Sequence, residues 1–540
     1  MPFLRGPQSS LSLDGAEIVA LNQNQEIAAV VSGDSKLSIV SYQKGFDQPK
    51  LINTLELPGN AQSVAINNEG LIAVAVSIND NNDGRIYFYR LAGNNQPEAR
   101  GFVVVGNLPD SIKFSQNGRL LLSANEGEPS KFYGTNDGID PEGSISVVKV
   151  NPSKPKQSKI INLDFSGFTT EELRASNIRI SGENPTPRLD IEPEFVAISP
   201  SGRTAFVTLQ ENNGIARVDL KNYEIDAIFS QGSKDWSSIP VDTTDEDGIY
   251  APRPSNFVGL RMADGIDSFR YKGKTYLITA NEGDGRVRPD DTNFEAELED
   301  GATYSYGDNL APGAIAEIND ELTGSTIYVY AAAGIGNRGD FNADQGEERF
   351  ITLQYGAASD DDYYSDEVRA GKLRTGDFDL INEGRLKTIK DSNDSITGLK
   401  AFGGRSFSIF KANGQLIYDS GSLLDEITNA AGFYDDSRSD DKSVEPESVI
   451  TATIGNRIFA FIGLERPFNQ SDENELGTFI PVFEISKPSQ PLFVGSFSSP
   501  DSLAPEGLAW VEGGRNGGYL LVANEGSGTL DAFRFSLAMI

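Results

Sequence analysis

Short segments in which apolar and polar residues alternate recur along most of the chain. Each is followed by a turn and then by a second, more continuously apolar segment. Alternation with a period of two is typical of β-strands that bury one face, and Gly- and Asn-rich turns between such segments indicate antiparallel hairpins. Helical periodicity is nearly absent, and Thr170–Ala175 is predicted as a short helix. The pattern therefore predicts an all-β protein.

The clearest repeat ends in the tetrapeptide Ala-Asn-Glu-Gly, which occurs at residues 124–127, 280–283 and 523–526. In each copy the preceding strand begins at an acidic residue, which we identify as Asp110, Asp267 and Glu506, respectively. Weaker copies begin at Glu17, Gln62, Glu194 and Glu447, and a divergent copy begins near Thr397. Units spaced by roughly 45 to 60 residues are typical of the blades of a β-propeller.

We therefore predict a single closed β-propeller of seven or eight blades that spans residues 1–540, the count depending on whether one blade is split. The last unit supplies three strands, and residues 11–13 are expected to add the fourth. Joining the N- and C-terminal strands in this way closes the ring and removes exposed sheet edges. Two insertions, about residues 130–188 and 284–391, are expected to form long loops over one face.

Composition restricts the chemistry that such a propeller can perform. The chain contains no Cys and no His, and its 79 acidic and 46 basic residues give a net charge of −33. Disulfides, thiolate metal sites and imidazole-dependent catalysis are excluded. Oxygen ligands favour hard cations, with Ca²⁺ preferred and Mg²⁺, Mn²⁺ or ferric iron as alternatives. The charge favours divalent cations and basic partners and disfavours nucleic acid.

The same composition bears on where the protein is found. No apolar segment approaches the roughly 20 residues that span a bilayer, and residues 1–10 contain no apolar signal-peptide core. Strong acidity without Cys nevertheless favours an extracellular, periplasmic or cell-surface location, where a surface or matrix partner is expected.

Repeated acidic residues are the main candidates for a functional site. In a propeller the first strand of each blade lines the central channel, so equivalent residues of successive blades meet there. The candidate metal ligands at the starts of the units are Glu17, Asp110, Glu194, Asp267, Glu447 and Glu506. A second set ends the following strand and is expected at the adjacent rim: Glu126, Glu211, Glu282, Glu465 and Glu525. Neutral carbonyl ligands are expected from Asn125, Asn281 and Asn524. Alternatively, all of these are turn and capping residues with solvated charges.

Three smaller features add candidates. Asn79, Asn81 and Asp83 have the alternating spacing of a calcium-binding loop, as do acidic residues within 340–347. The same residue types also form ordinary β-turns, so both interpretations stay open. Arg286 and Arg466 are candidate phosphate ligands, because a guanidinium group can bind two phosphate oxygens at once. The alternative is that these arginines neutralise neighbouring acids.

Several motifs together resemble the choice-of-anchor I domain family. They are the Ala-Asn-Glu-Gly sequences and the segments 140–145, 403–409, 436–442 and 463–466, and the resemblance extends over about residues 10–535. The family includes atypical bacterial alkaline phosphatases and mesenchyme-specific cell-surface glycoproteins of echinoderm biomineralising cells. The resemblance implies a secreted or surface-attached propeller.

Two functions are compatible with these features. The first is a metal-dependent phosphomonoesterase, in which carboxylate-held metal ions activate water and arginine binds the phosphate. The second is a non-enzymatic calcium-binding scaffold of the extracellular matrix, of an adhesion surface or of a biomineral. The sequence leaves open whether the protein is an enzyme.

Overall fold

A computed structural model describes residues 3–285 and 400–540, apart from the short segments 33–34, 44, 80–82, 94, 130–139, 182–185, 244–247, 256, 440 and 468–476; within 286–399 it describes five strands. This part of the chain is almost entirely β-structure, which confirms the all-β prediction. The three α-helices described are α1 (Thr170–Ala175), α2 (Pro187–Asp190) and α3 (Leu423–Ala431). Helix α1 has the predicted bounds, whereas α3 was not predicted. Among the described residues, no helix is long and apolar enough to cross a membrane.

The first half of the chain forms eighteen strands. They are β1 (Phe3–Arg5), β2 (Ser9–Ser12), β3 (Ile18–Asn22), β4 (Ile27–Ser32), β5 (Lys36–Ser41), β6 (Lys50–Glu56), β7 (Asn60–Ile66), β8 (Ile72–Ser77), β9 (Arg85–Leu91), β10 (Pro97–Val104), β11 (Ser111–Phe114), β12 (Leu120–Asn125), β13 (Ser144–Lys149), β14 (Lys159–Leu163), β15 (Val196–Ile198), β16 (Thr204–Leu209), β17 (Gly214–Asp219) and β18 (Glu224–Ser230).

The second half contains the remaining strands. They are β19 (Ser233–Asp235), β20 (Val258–Leu260), β21 (Ile266–Tyr271), β22 (Lys274–Asn281), β23 (Ile315–Asn319), β24 (Thr326–Tyr330), β25 (Thr352–Gln354), β26 (Glu367–Ala370), β27 (Lys387–Ile389), β28 (Lys400–Ala401), β29 (Ser406–Lys411), β30 (Leu416–Asp419), β31 (Pro446–Ile454), β32 (Arg457–Leu464), β33 (Thr478–Glu484), β34 (Leu492–Ser499), β35 (Pro505–Glu512), β36 (Gly517–Asn524) and β37 (Thr529–Ser536).

Seven sheets of four or five strands are arranged as in a β-propeller. Sheets 1 to 4 are the consecutive antiparallel sets β3–β6, β7–β10, β11–β14 and β15–β18. Sheet 5 contains β21, β22, β29 and β30; sheet 6 contains β31–β34 with β1 added in parallel; and sheet 7 contains β35–β37 with β2. The pairing of β2 with β37 is the fourth strand expected from the N-terminal segment.

Two sequence-based expectations need correction. The unit expected to begin near Thr397 supplies β29 and β30, which pair with β22 and complete sheet 5 instead of forming a sheet of their own. The segment 130–188, expected to be loop, contains β13 and β14, the outer strands of sheet 3. Within 284–391, strands β23 to β27 join β19, β20 and β28 in a further eight-stranded sheet.

The first strands of the seven sheets lie next to one another. Strand β3 contacts β7, and contacts continue through β11, β15, β21, β31 and β35, which in turn contacts β3. An apolar cluster fills the space between each pair of neighbouring sheets, including sheets 7 and 1. Between sheets 6 and 7, for example, Phe461 stacks on Trp510 at 5.3 Å and meets Phe535 edge-on at 5.6 Å. Burial of these faces is the main stabilising contribution, about 25 cal/mol per Å² of apolar surface.

Candidate metal centre

The hydrogen-bond register identifies equivalent residues at the start of the first strands. Ser111 pairs with Ala124 of the first Ala-Asn-Glu-Gly repeat, Gly507 pairs with Ala523 of the last, and Gly265 accepts a hydrogen bond from the Ala280 amide. The residue before each of these is therefore equivalent from sheet to sheet. Together with the corresponding residues of the other sheets they form the inner ring: Glu17, Gln62, Asp110, Glu194, Asp264, Glu447 and Glu506. All seven line one cavity of about 520 Å³.

Local backbone features explain how these side chains reach the cavity. The register shifts at Gln62, Glu447 and Glu506, so that each lies opposite no single partner residue on the next strand. Such β-bulges redirect a side chain at the end of a sheet. In sheets 5 and 7 a glycine follows the acid. A Cβ atom on Gly265 would lie 2.4 Å from the Glu447 carbonyl oxygen, and one on Gly507 would lie 2.5 Å from that of Glu17. Glycine thus allows neighbouring first strands to approach closely.

A second set of residues, which we call the rim, lies at or just beyond the end of the second strand of each sheet. Each rim residue comes two positions after the residue that pairs with the start of the first strand. The rim consists of Glu126, Gln210, Glu282, Glu465 and Glu525 in sheets 3 to 7. In sheet 4 the rim position is Gln210, because Thr208 donates its amide hydrogen to Phe195. The expected Glu211 is one residue further along. Glu282 is buried, whereas Glu525 is exposed.

Inner ring and rim together form two groups of three carboxylates. One is Asp110, Glu126 and Glu194, and the other is Asp264, Glu282 and Glu447; in each, one oxygen of every residue lies within 4.8 Å of the others. Both have the same composition: the inner-ring acid of one sheet, its rim acid and the inner-ring acid of the next sheet. The propeller repeat therefore builds the same three-carboxylate arrangement twice.

Burial of these carboxylates strongly disfavours their charged forms. It raises the pKa of Asp110 to about 7, with Glu128 adding repulsion. It raises the pKa of Glu282 to about 8, although the ammonium of Lys442 opposes the effect. Burial is the main cause, and repulsion among neighbouring acids the second, of pKa values well above the usual range for the other four members: Glu126, Glu194, Asp264 and Glu447. The pKa of Glu506 is raised in the same way. Bound cations would favour the charged forms.

Basic side chains reach the same cavity from the loop before β31. Lys442 Nζ lies 2.7 Å from Glu282 Oε1 and 3.3 Å from Glu445 Oε2. Arg438 pairs with Glu445 and lies 3.0 Å from Asp441 Oδ2. At the end of β32, Arg466 Nη2 lies 2.7 Å from Glu465 Oε1. The repeat pattern did not identify Glu445 as a site residue, because the loop belongs to no repeat.

The cavity brings together most, but not all, of the candidate ligands. The residues that line it or belong to a three-carboxylate group are Glu17, Asp110, Glu126, Glu194, Glu282, Glu447, Glu465 and Glu506. Asp267 is not among them. Its carboxylate accepts hydrogen bonds from the amide and hydroxyl of Thr451, at 2.8 and 2.7 Å, and lies 3.6 Å from Lys113 Nζ. Asp264 occupies the position that the sequence pattern assigned to Asp267.

The three repeated asparagines serve the sheets and not the cavity. Asn125, Asn281 and Asn524 are completely buried, and their side-chain oxygens accept hydrogen bonds from Ser123, Thr279 and Thr478, respectively. Their amides donate to hydroxyls or carbonyls of the adjacent strand. The prediction that they provide neutral metal ligands is therefore wrong.

The remaining candidates lie apart from the cavity or outside the described residues. Asn79 and Asp83 are exposed, and Asn81 is not among the residues described. Arg286 and the acidic segment 340–347 also lie outside the described residues. Arg466 lines the cavity.

Comparisons with known proteins were made at the level of sequence and of fold. A sequence model described as the choice-of-anchor I domain matches residues 17–488. Gigasin-3a of Magallana gigas is 36% identical over 101 residues, which cover 16% of this chain and 34%, about a third, of that relative.

Similar solved structures include Saccharomyces cerevisiae Sqt1, with a TM-score of 0.41 and 9% identity over 99% of this chain and 98% of that chain. The β-propeller domain of Myceliophteria thermophila Cps50 (Swd1) gives a TM-score of 0.42 and 8% identity over 98% and 99%.

Proposed function

The chain belongs to the choice-of-anchor I domain family, and we propose that its central cavity binds two hard cations. One occupies Asp110, Glu126 and Glu194, and the other occupies Asp264, Glu282 and Glu447. The observation that carries this proposal is the repetition of the same three-carboxylate arrangement in two places, each with one buried and two half-buried members. Ca²⁺ is the preferred ion, and Mg²⁺, Mn²⁺ or ferric iron are the alternatives, because every ligand is an oxygen.

The residues present fit cations on electrostatic grounds. Three carboxylates whose oxygens lie within 4.8 Å of one another repel strongly unless protons or cations intervene. Among the described residues, no basic side chain forms an ion pair with Asp110, Glu126 or Glu194. A divalent cation would offset the charge of this group, and the raised pKa values of its three carboxyls reflect how strongly burial and mutual repulsion disfavour that charge without one.

The proposed architecture is a closed propeller of seven blades. The cyclic order of contacts among the first strands supports this count, as does the apolar cluster between sheets 7 and 1. In that arrangement the inner ring surrounds the channel and each three-carboxylate group bridges two blades. Membership of the family favours a cell-surface or extracellular location.

The proposed activity is hydrolysis of phosphomonoesters. A cation bound by such carboxylates lowers the pKa of water and stabilises negative charge on phosphoryl oxygens. The chain's own contribution is to hold and orient the ester: Arg466 lines the cavity, and its buried Nε–H has no hydrogen-bond partner among the described residues. Glu465 holds the other end of this guanidinium at 2.7 Å, which fixes its direction. Charge-assisted hydrogen bonds from arginine are a common means of binding phosphate.

Metal content and hydrolysis should be measured on the same samples. The full chain is dialysed against Ca²⁺ or Mn²⁺, its bound metal is quantified by mass spectrometry, and hydrolysis of a chromogenic phosphomonoester is followed from neutral to alkaline pH. We expect two ions per chain and hydrolysis that a chelator abolishes. Glu447→Gln should lose one ion and most activity, whereas Glu512→Gln, on an exposed part of β35, should behave as wild type.

The outcomes separate the proposals. Absence of bound metal would overturn the metal centre, and hydrolysis that survives chelation would overturn metal-dependent catalysis. Two bound ions without hydrolysis would instead support the alternative, a calcium-binding scaffold. The net charge of −33 favours that alternative, because a strongly acidic surface collects cations without any catalytic step.

A further inference from the structure

A third group of carboxylates in the cavity does not follow the propeller repeat. Oxygens of Glu282, Glu445 and Glu465 lie within 4.8 Å of one another. Glu282 and Glu465 are rim residues of neighbouring sheets, but Glu445 comes from the loop before β31. It is 1% exposed. This group therefore combines two rim acids with an acid that no other sheet supplies.

A basic side chain already lies beside two of these three acids. The Lys442 ammonium is 2.7 Å from Glu282 Oε1, 3.3 Å from Glu445 Oε2 and 3.6 Å from Asp284 Oδ2. The side chain is only 12% exposed. The contact with Glu282 is a hydrogen bond, and the contacts with Glu445 and Asp284 are longer ion pairs. Lys442 thus makes the kind of contacts that a bound cation would make.

The remaining charges of the third group are also compensated. Arg438 pairs with Glu445, and Arg466 pairs with Glu465. Each acid of the group therefore has a basic partner without an added ion, and Lys442 and Arg438 also contact Asp284 and Asp441. The group of Asp110, Glu126 and Glu194 has no such partners among the described residues.

A buried arginine fixes the loop that carries Lys442. Arg405 is 2% exposed and donates hydrogen bonds to the carbonyl oxygens of Asp242, Ser439 and Asp441, at 2.6, 2.8 and 2.6 Å. These bonds fix the backbone directly before Lys442. The fold therefore fixes the backbone from which the Lys442 side chain extends.

From these contacts we propose that Lys442 is a built-in cation that takes the place of a metal ion in the third group. It closes this group to metals and limits the cavity to the two repeat-related positions. Glu282 keeps its role in the Asp264 group, because each carboxylate oxygen has two lone pairs and Lys442 uses one of them. The inference rests on the proposed metal centre, since it assigns the number of ions and the residue that determines it.

The test is a count of bound ions in the full chain. Isothermal titration with Ca²⁺ and mass spectrometry of bound Mn²⁺ are performed on wild type, Lys442→Met and Lys442→Arg. Methionine keeps an unbranched side chain but removes the charge, so we expect one additional ion per chain. Arginine keeps the charge, and we expect the wild-type number.

Each outcome decides between the possibilities. An unchanged number of ions in folded Lys442→Met would overturn the inference. If wild type binds no ion while Lys442→Met binds one, the proposed metal centre fails but the role of Lys442 stands. If Lys442→Met does not fold in chelator, refolding is repeated with Ca²⁺: recovery of the native circular dichroism spectrum supports the inference, and failure to recover contradicts it.

Discussion

The raised pKa values make the stability of the cation-free protein depend on pH in a direction opposite to that of most acidic groups. In the folded chain, burial raises the pKa of Glu282 from 4.5 to about 8. Between these values the folded state retains a proton that the unfolded state has released. The free energy of unfolding therefore falls as pH rises through this window. The contribution is fully present below pH 4.5 and is lost above about pH 8.

The size of this effect follows from the same values. A displacement from 4.5 to about 8, at about 1.36 kcal/mol per pH unit, gives an upper limit of about 5 kcal/mol for Glu282. That is a large part of the 5 to 15 kcal/mol roughly expected for a whole protein. Glutamine has nearly the same shape and no charge, so Glu282→Gln should remove this contribution to the pH dependence.

The assay is urea denaturation in the presence of a chelator at pH 5, 7 and 9. Wild type should lose several kcal/mol between pH 5 and 9, and Glu282→Gln should lose measurably less, whereas the exposed control Glu512→Gln should follow wild type. Adding Ca²⁺ at one hundred times its dissociation constant should restore about 2.7 kcal/mol for each bound ion at pH 9, or about 5.4 kcal/mol for the two proposed ions. Equal stability of wild type at pH 5 and 9 in chelator, or an unchanged pH dependence in Glu282→Gln, would refute the reasoning.

Three further predictions concern the positions of individual residues. Asp264→Asn should weaken Ca²⁺ binding at least tenfold in a calorimetric titration, whereas Asp267→Asn should leave it unchanged, because only Asp264 belongs to a three-carboxylate group. Asn281→Ala should leave the number of bound ions unchanged but lower the free energy of unfolding by about 1 to 3 kcal/mol, since it deprives buried hydroxyls of a partner. Gly507→Ala should cost about 1 to 3 kcal/mol in urea denaturation through overpacking, whereas Gly93→Ala, with open space around its Cβ position, should cost little.

The inner ring could be predicted from sequence where the acid follows a proline and an alternating apolar segment comes next. Glu194, Glu447 and Glu506 follow a proline and precede an alternating apolar segment, so their phase is unambiguous. Asp267 was misassigned because Ile266-Asp267-Ser268 imitates the pattern around Asp110. The number of residues between ring acid and Ala-Asn-Glu-Gly varies with the length of the intervening hairpin, so spacing did not resolve the choice. The sequence Asp264-Gly265, which matches Glu506-Gly507, was the available signal.

Features that depend on tertiary contacts were not accessible from the repeat. Strands β22 and β29 are neighbours in sheet 5 although more than one hundred residues separate them in the sequence. Because of this separation, the sequence of β29 and β30 was interpreted as a further blade. Lys442 and Glu445 belong to a loop without a repeat partner, and their position depends on the buried hydrogen bonds of Arg405. The asparagines were misread for a similar reason, because a repeated polar residue can serve a sheet as well as a site.

An amide occupies the rim position where the two carboxylate groups adjoin. Each group consists of the inner-ring residue of one sheet, the rim residue of the same sheet and the inner-ring residue of the next sheet. In sheets 4 and 5 these positions are Glu194, Gln210 and Asp264. Glu194 belongs to one group and Asp264 to the other, so a rim acid here would join them into a continuous row of carboxylates. Gln210 instead donates a hydrogen bond from Nε2 to Glu282 Oε2 at 3.0 Å. The substitution removes one charge where the groups adjoin and orients a ligand of the second group, as a partner of a metal ligand commonly does.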